Sequence, residues 1–154
     1  MVMQISIGIC YTVIMKRIWW VLIILVLLIT LSPFVFRSPK NAQVTINGRV
    51  FSVEVARTDA EKAKGLSGRD YLDANSGMLF VFPAAEIWPF WMKDTKIPLD
   101  IIYVNDSKII EMTTLQPQNS DDIPKYSPTQ KVQYVLELNA NSGFKVGDVV
   151  KIEL

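Results

Sequence analysis

Six residues in the middle of the chain, Arg69, Trp91, Lys93, Asp94, Thr95 and Asp100, combine an aromatic surface with both signs of charge and a hydroxyl. Indole beside an ammonium suits a ligand that stacks its body on the ring and turns a polar group toward the charge. In that arrangement Trp91 is the apolar platform, and Lys93 and Arg69 contact an anion. Asp94 and Thr95 orient the ligand as acceptor and hydroxyl, and Asp100 clasps the site from behind. Strand alternation puts Phe90 and Met92 on one face and Trp91 and Lys93 on the other. Trp88 and Tyr103 extend the aromatic surface. The plainer alternative is that these rings fill a small core.

Asp100 shares a strand face with Ile102 and Val104, so its carboxylate needs partners or a shifted pKa. Lys93, Arg69 and backbone amides of the Lys93–Pro98 loop are candidate partners, and a structural clasp on that loop is the simpler role. Asp94 and Asp100 also admit a carboxylate-dependent hydrolase, one acting as acid and the other as base. The loop between them does not set the separation such chemistry requires, so the reading leans away from an enzyme and assigns no catalytic residue.

Absences narrow the chemistry further. From Ser38 onward there is no Cys and no His. A disulfide framework, a thiolate nucleophile, an imidazole base and a zinc site of usual composition are therefore excluded there. Asp121-Asp122 and Asn105-Asp106 read as solvated loop tips rather than calcium ligands. We expect no metal and no cofactor. Setting aside Lys16, Arg17 and Arg37 leaves thirteen basic residues against fifteen acidic ones. That balance offers no basic surface for nucleic acid.

The elements that would position these residues are short. Gln43–Ile46 and Arg49–Val55 alternate with period two around Asn47-Gly48, the dipeptide of a type I′ hairpin turn. Thr58-Asp59-Ala60-Glu61 reads as a capping box opening a helix that runs to about Leu66, with Gly65 or Gly68 ending it. Strands are predicted at Met78–Phe82, Phe90–Met92, Leu99–Val104, Lys108–Leu115, Lys131–Leu138 and Val149–Glu153. Gln116–Gln130, with three prolines, is a long polar loop. The fold class expected is mainly β (α+β): a small β-barrel-like or curled antiparallel sheet with one short helix, preceded by an N-terminal transmembrane helix.

Ile18–Phe36 is nineteen residues without a charge, about 28 Å of helix and close to the hydrocarbon thickness of a bilayer. Lys16-Arg17 precede it, and Trp19 and Trp20 sit at its edge, where indoles favour the interface. No small-x-small cleavage pattern closes it, which favours an uncleaved anchor over a signal peptide. The expected organisation is an N-terminal segment 1–17, a membrane span 18–36, a linker 37–42 and a β-rich domain 43–154. The domain is expected on the extracytoplasmic side. Met15-Lys16-Arg17 resembles a signal-anchor start by itself, so Met1–Ile14 is expected to be a gene-model extension. Detection of those residues by N-terminal peptide mapping would refute that.

Several blocks in order carry a family resemblance: Val53-Glu54-Val55, Lys64-Gly65-Leu66-Ser67-Gly68-Arg69, Gly77–Phe82, Phe90–Lys93, Ile97–Ile102, Tyr134-Val135-Leu136-Glu137-Leu138 and Val146-Gly147-Asp148. From about Phe51 to Ile152 the chain resembles the domain of unknown function 192, an uncharacterised prokaryotic family. The resemblance implies a small β-rich fold, often exported or membrane-tethered, and hands over no chemistry. Where the family commonly has Lys-Asn-Thr, this chain has Lys93-Asp94-Thr95, replacing an amide donor by a carboxylate that only accepts. Asn139–Gly143 is also shorter than usual. The function expected is a non-catalytic ligand-binding or accessory module of the cell envelope. Its partners would be the membrane, through Ile18–Phe36, and an unknown small molecule or envelope protein. A structural protein docking its partner by strand addition is the further alternative.

Overall fold

The computed structural model describes residues 41–118 and 123–154, together with helical positions at Arg17, Trp19, Trp20, Val21 and Ile23. Most of the expected membrane span and the expected extension Met1–Ile14 lie outside the described residues. Among the described residues no helix is long and apolar enough to cross a membrane. The chain divides into a unit Met1–Arg37 and a unit Ser38–Leu154, and the second holds the sheet.

β1 (Asn41–Ile46) and β2 (Arg49–Ala56) form the predicted hairpin. Asn47 and Gly48 carry φ of 48° and 82°, the positive pair that a type I′ turn demands. The capping box of α1 (Asp59–Lys64) is complete. Thr58 Oγ1 accepts the Glu61 amide at 3.2 Å, and Glu61 Oε2 accepts the Thr58 amide at 2.9 Å. The helix stops two residues before Leu66, because Gly65 leaves helical geometry at φ 49°. β3 (Ser76–Glu86), β4 (Leu99–Asn105), β5 (Lys108–Leu115), β6 (Val132–Asn139) and β7 (Val150–Glu153) complete the elements.

These strands make one seven-stranded sheet in the order β5-β4-β6-β3-β2-β1-β7. It is mixed rather than antiparallel, because β2 and β3 run parallel. The physical reason is the crossover between them: α1 and the segment to Asn75 carry the chain back along the sheet, and such a return makes the next strand parallel. The sheet curls strongly into a half-barrel. At one corner its two edges meet, with the Ile109 amide donating to Asp148 O (3.0 Å) and the Val150 amide to Ser107 O (2.9 Å).

Phe90–Met92, expected as a strand, forms none. Phe90 makes only an isolated bridge, exchanging backbone hydrogen bonds of 2.8 and 2.7 Å with Tyr126. Pro89 lacks the amide donor a ladder needs, and the segment pairs with the long 116–131 connection instead of joining the sheet. Parity nevertheless survives. Phe90 and Met92 are buried, while Trp91 and Lys93 are exposed.

Both faces of the central strands are covered. One apolar cluster gathers Val44, Phe51, Val53, Leu79, Ile102, Leu136 and Val150 on the concave side. The other gathers Met78, Phe80, Phe82, Ile101, Tyr103 and Val135 on the opposite face. There Leu66, Leu72, Phe90, Met92 and Ile97, from the connecting segments, close over β3, β4 and β6. The candidate site lies in this second layer.

Candidate functional site: an aromatic cavity over a buried carboxyl

Period two in β6 sends Leu136 and Leu138 to the concave core, and therefore sends Glu137 to the same face as Val135. Its cross-strand neighbours are Met78 on β3 and Ile101 on β4. A carboxyl is thus built into an apolar layer. Glu137 is 5 % exposed, and its Oε2 is fully buried without a hydrogen-bond partner. Burial pushes its pKa up to about 8, and the nearby Arg69 guanidinium offsets this only in part. At neutral pH the group is mostly the neutral acid, carrying one O–H donor.

Above this carboxyl lies a cavity of about 330 Å³. Phe80, Phe82, Trp88, Phe90 and Trp91 wall it, and Lys62, Lys93, Thr95 and Glu137 add polar groups. The ring geometry is ordered. Trp88 stacks on Phe82 with centroids 4.2 Å apart and planes 9° from parallel. Phe80 and Phe90 meet edge to face at 4.9 Å. Ammonium groups cap two of the rings, Lys62 Nζ at 4.8 Å from Phe82 and Lys125 Nζ at 5.6 Å from Trp91. Gly65 borders the space at φ 49°, where a Cβ would touch Phe80 Cζ at 3.4 Å and Glu137 Oε2 at 3.8 Å, so its backbone conformation rather than a clash calls for glycine.

The six residues singled out from the sequence are divided by the structure. Trp91, Lys93 and Thr95 line the cavity. Thr95 is buried, and its hydroxyl donates to Lys93 O at 3.3 Å. Asp94 sits between them at φ 53°, with its carbonyl accepting the Gly68 amide at 2.8 Å. Arg69 lies in a neighbouring cleft and forms a two-pronged pair with Glu54, at 2.7 and 2.8 Å. Asp100 lies on the concave face, where Oδ1 accepts the Thr114 hydroxyl at 2.6 Å. Its Oδ2 accepts both the amide (2.8 Å) and the hydroxyl (2.6 Å) of Ser142. These bonds clasp β4 to β5 and to the segment after β6. Tyr103 is buried behind the aromatic surface, its ring meeting Phe90 edge to face at 6.1 Å and its hydroxyl donating to Tyr126 O at 3.1 Å.

Glu137 is not among the six residues singled out from the sequence, although it stands in the block Tyr134–Leu138. The available signal was an acidic side chain flanked by Leu136 and Leu138 in a strand without a polar face. Among the described residues no cluster of three or more Cys, Asp or Glu could hold a metal ion.

The sequence pattern of DUF192 (Uncharacterized ACR) matches residues 42–152, the sheet together with the segments that close the cavity. The chain belongs to the DUF192 family. Two solved structures share the fold of this DUF192 domain. A protein of unknown function from Novosphingobium aromaticivorans DSM 12444 is 35% identical, with a TM-score of 0.66 over 72% of this chain and 84% of that one. A protein put forward as a transcription regulator, from Sinorhizobium meliloti 1021, is 30% identical, with a TM-score of 0.65 over 73% and 93% of the two chains. No curated protein matches the chain.

Proposed function

We propose that this DUF192 domain is a non-catalytic binding module of the cell envelope, held at the membrane by Ile18–Phe36, whose ligand is a small molecule with an apolar body. The observation that carries the reading is Glu137 Oε2, buried and unpartnered beneath an aromatic-walled cavity of ligand size. Leaving a buried polar atom unpaired costs about 1–3 kcal/mol, a cost that a ligand reaching the carboxyl would relieve. The lining fits a ligand site: mostly apolar and aromatic, with a few polar groups that set orientation. A hydrolase using Asp94 and Asp100 has no comparable support, because three hydrogen bonds already occupy both Asp100 oxygens.

The test is a thermal-shift screen of the full chain against aromatic acids, amines, sugars, cell-wall fragments and nucleotides. A ligand at about a hundred times its Kd adds roughly 2.7 kcal/mol to stability. A hit that Trp91→Ala weakens, and that mass spectrometry recovers unchanged, supports a binder. A chemically altered ligand would point to an enzyme. A flat screen would turn the search toward a protein partner.

A further inference from the structure

We infer that the cavity takes a small aromatic carboxylate, its ring among Phe80, Phe82, Trp88, Phe90 and Trp91 and its charge at the lysine-bearing rim. The inference rests on the binding reading above and commits it to a ligand class. Two observations carry it. Among the ionised side chains lining the cavity, Lys62, Lys64 and Lys93 stand against Asp59 alone once Glu137 is neutral, so the opening favours an anion. The ring faces that would cage a cation are partly taken, Phe82 by Lys62 and Trp91 by Lys125.

The floor agrees with the rim. In its neutral form Glu137 sets no negative charge beneath the ligand, whereas a cationic ligand would gain most only after that carboxyl had lost its proton in an apolar layer. The groups that face Glu137 are Arg69, Tyr103 on β4, and, across the cavity, Lys62, Lys64, Lys93 and Asp59. Arg69 is itself committed to Glu54.

Three probes of one shape separate the possibilities: phenylacetate, phenylacetamide and phenethylamine, titrated calorimetrically into the full chain. At about pH 6.5 phenylacetate should bind about tenfold or more tighter than the other two, a difference of about 1.4 kcal/mol. Its affinity should fall up to about tenfold per pH unit above about 8, as Glu137 ionises. Glu137→Gln should flatten that decline, and Lys62→Gln with Lys93→Gln should abolish the preference for the acid over the amide. Equal binding of acid and amide would overturn the anion assignment and leave the binding reading standing. Tighter binding of phenethylamine, strengthening through pH 8, would replace it with a cation site. Failure of all three probes would overturn the ligand class, while the wider screen above decides separately whether the cavity takes another ligand.

Discussion

At the scale of single residues, two buried carboxyls on opposite faces of the sheet have opposite fates. Asp100 is saturated by Thr114 and Ser142, whereas Glu137 keeps an unpartnered oxygen under a cavity. Asp100→Ala should therefore destabilise the protein by roughly 3 kcal/mol or more in chemical denaturation, since it removes three hydrogen bonds to a charged group and strands their donors. Glu137 predicts a pH effect whose sign follows from its pKa, raised by burial from 4.5 to about 8. Between those values the folded state holds a proton that the unfolded chain has released. Stability is thus highest below the lower value and falls as pH rises, by at most roughly 1.4 kcal/mol per unit, levelling above about 8. Glu137→Gln should remove this slope, which urea denaturation across pH 5–9 would read directly.

Elements, rather than residues, hold the cavity open. α1 presents Lys62 and Lys64, and its capping box sets where the helix starts. Thr58→Ala should cost about 1 kcal/mol, measured as a lower midpoint in denaturant. β3 and β6 approach so closely at Gly77 that a Cβ there would lie 2.5 Å from Glu137 O and 2.6 Å from Leu138 Cδ2. A backbone oxygen cannot yield without loosening the ladder, so Gly77→Ala should destabilise by about 2–3 kcal/mol. It should also disturb the cavity floor, because the strand that shifts is the one carrying Glu137. Thermal melts with and without a bound probe would separate the two effects.

At the scale of the whole molecule, the described far part of the long connection after β5 is tied into the site layer. The Phe90–Tyr126 exchange and the Tyr103 hydroxyl hold its far half, and Lys125 thereby reaches Trp91. The same scale holds the membrane prediction. A charge-free run of the length of Ile18–Phe36 should carry the full chain into the membrane fraction and resist carbonate extraction. Replacing Leu25 and Leu28 with Lys should release the protein, since each Lys at the centre of a span costs about 2.5–3.5 kcal/mol. Recovery of the parent chain in the soluble fraction would contradict the anchor.

Local physics was legible in the sequence. Asn47-Gly48 specifies its turn through positive φ, Thr58 and Glu61 specify a helix start, and period two separates Phe90 and Met92 from Trp91 and Lys93 even where no strand forms. The family blocks lie within the matched region 42–152. What the tertiary structure decided were the relations between distant segments: the parallel β2–β3 pair, the bridge from Phe90 to Tyr126, the assignment of Asp100 to a clasp, and the cavity over Glu137. The reason is that both faces of the central strands are buried. Alternation then tells which residues share a face, but not which face carries a cavity, and that depends on segments far away in the chain closing over it.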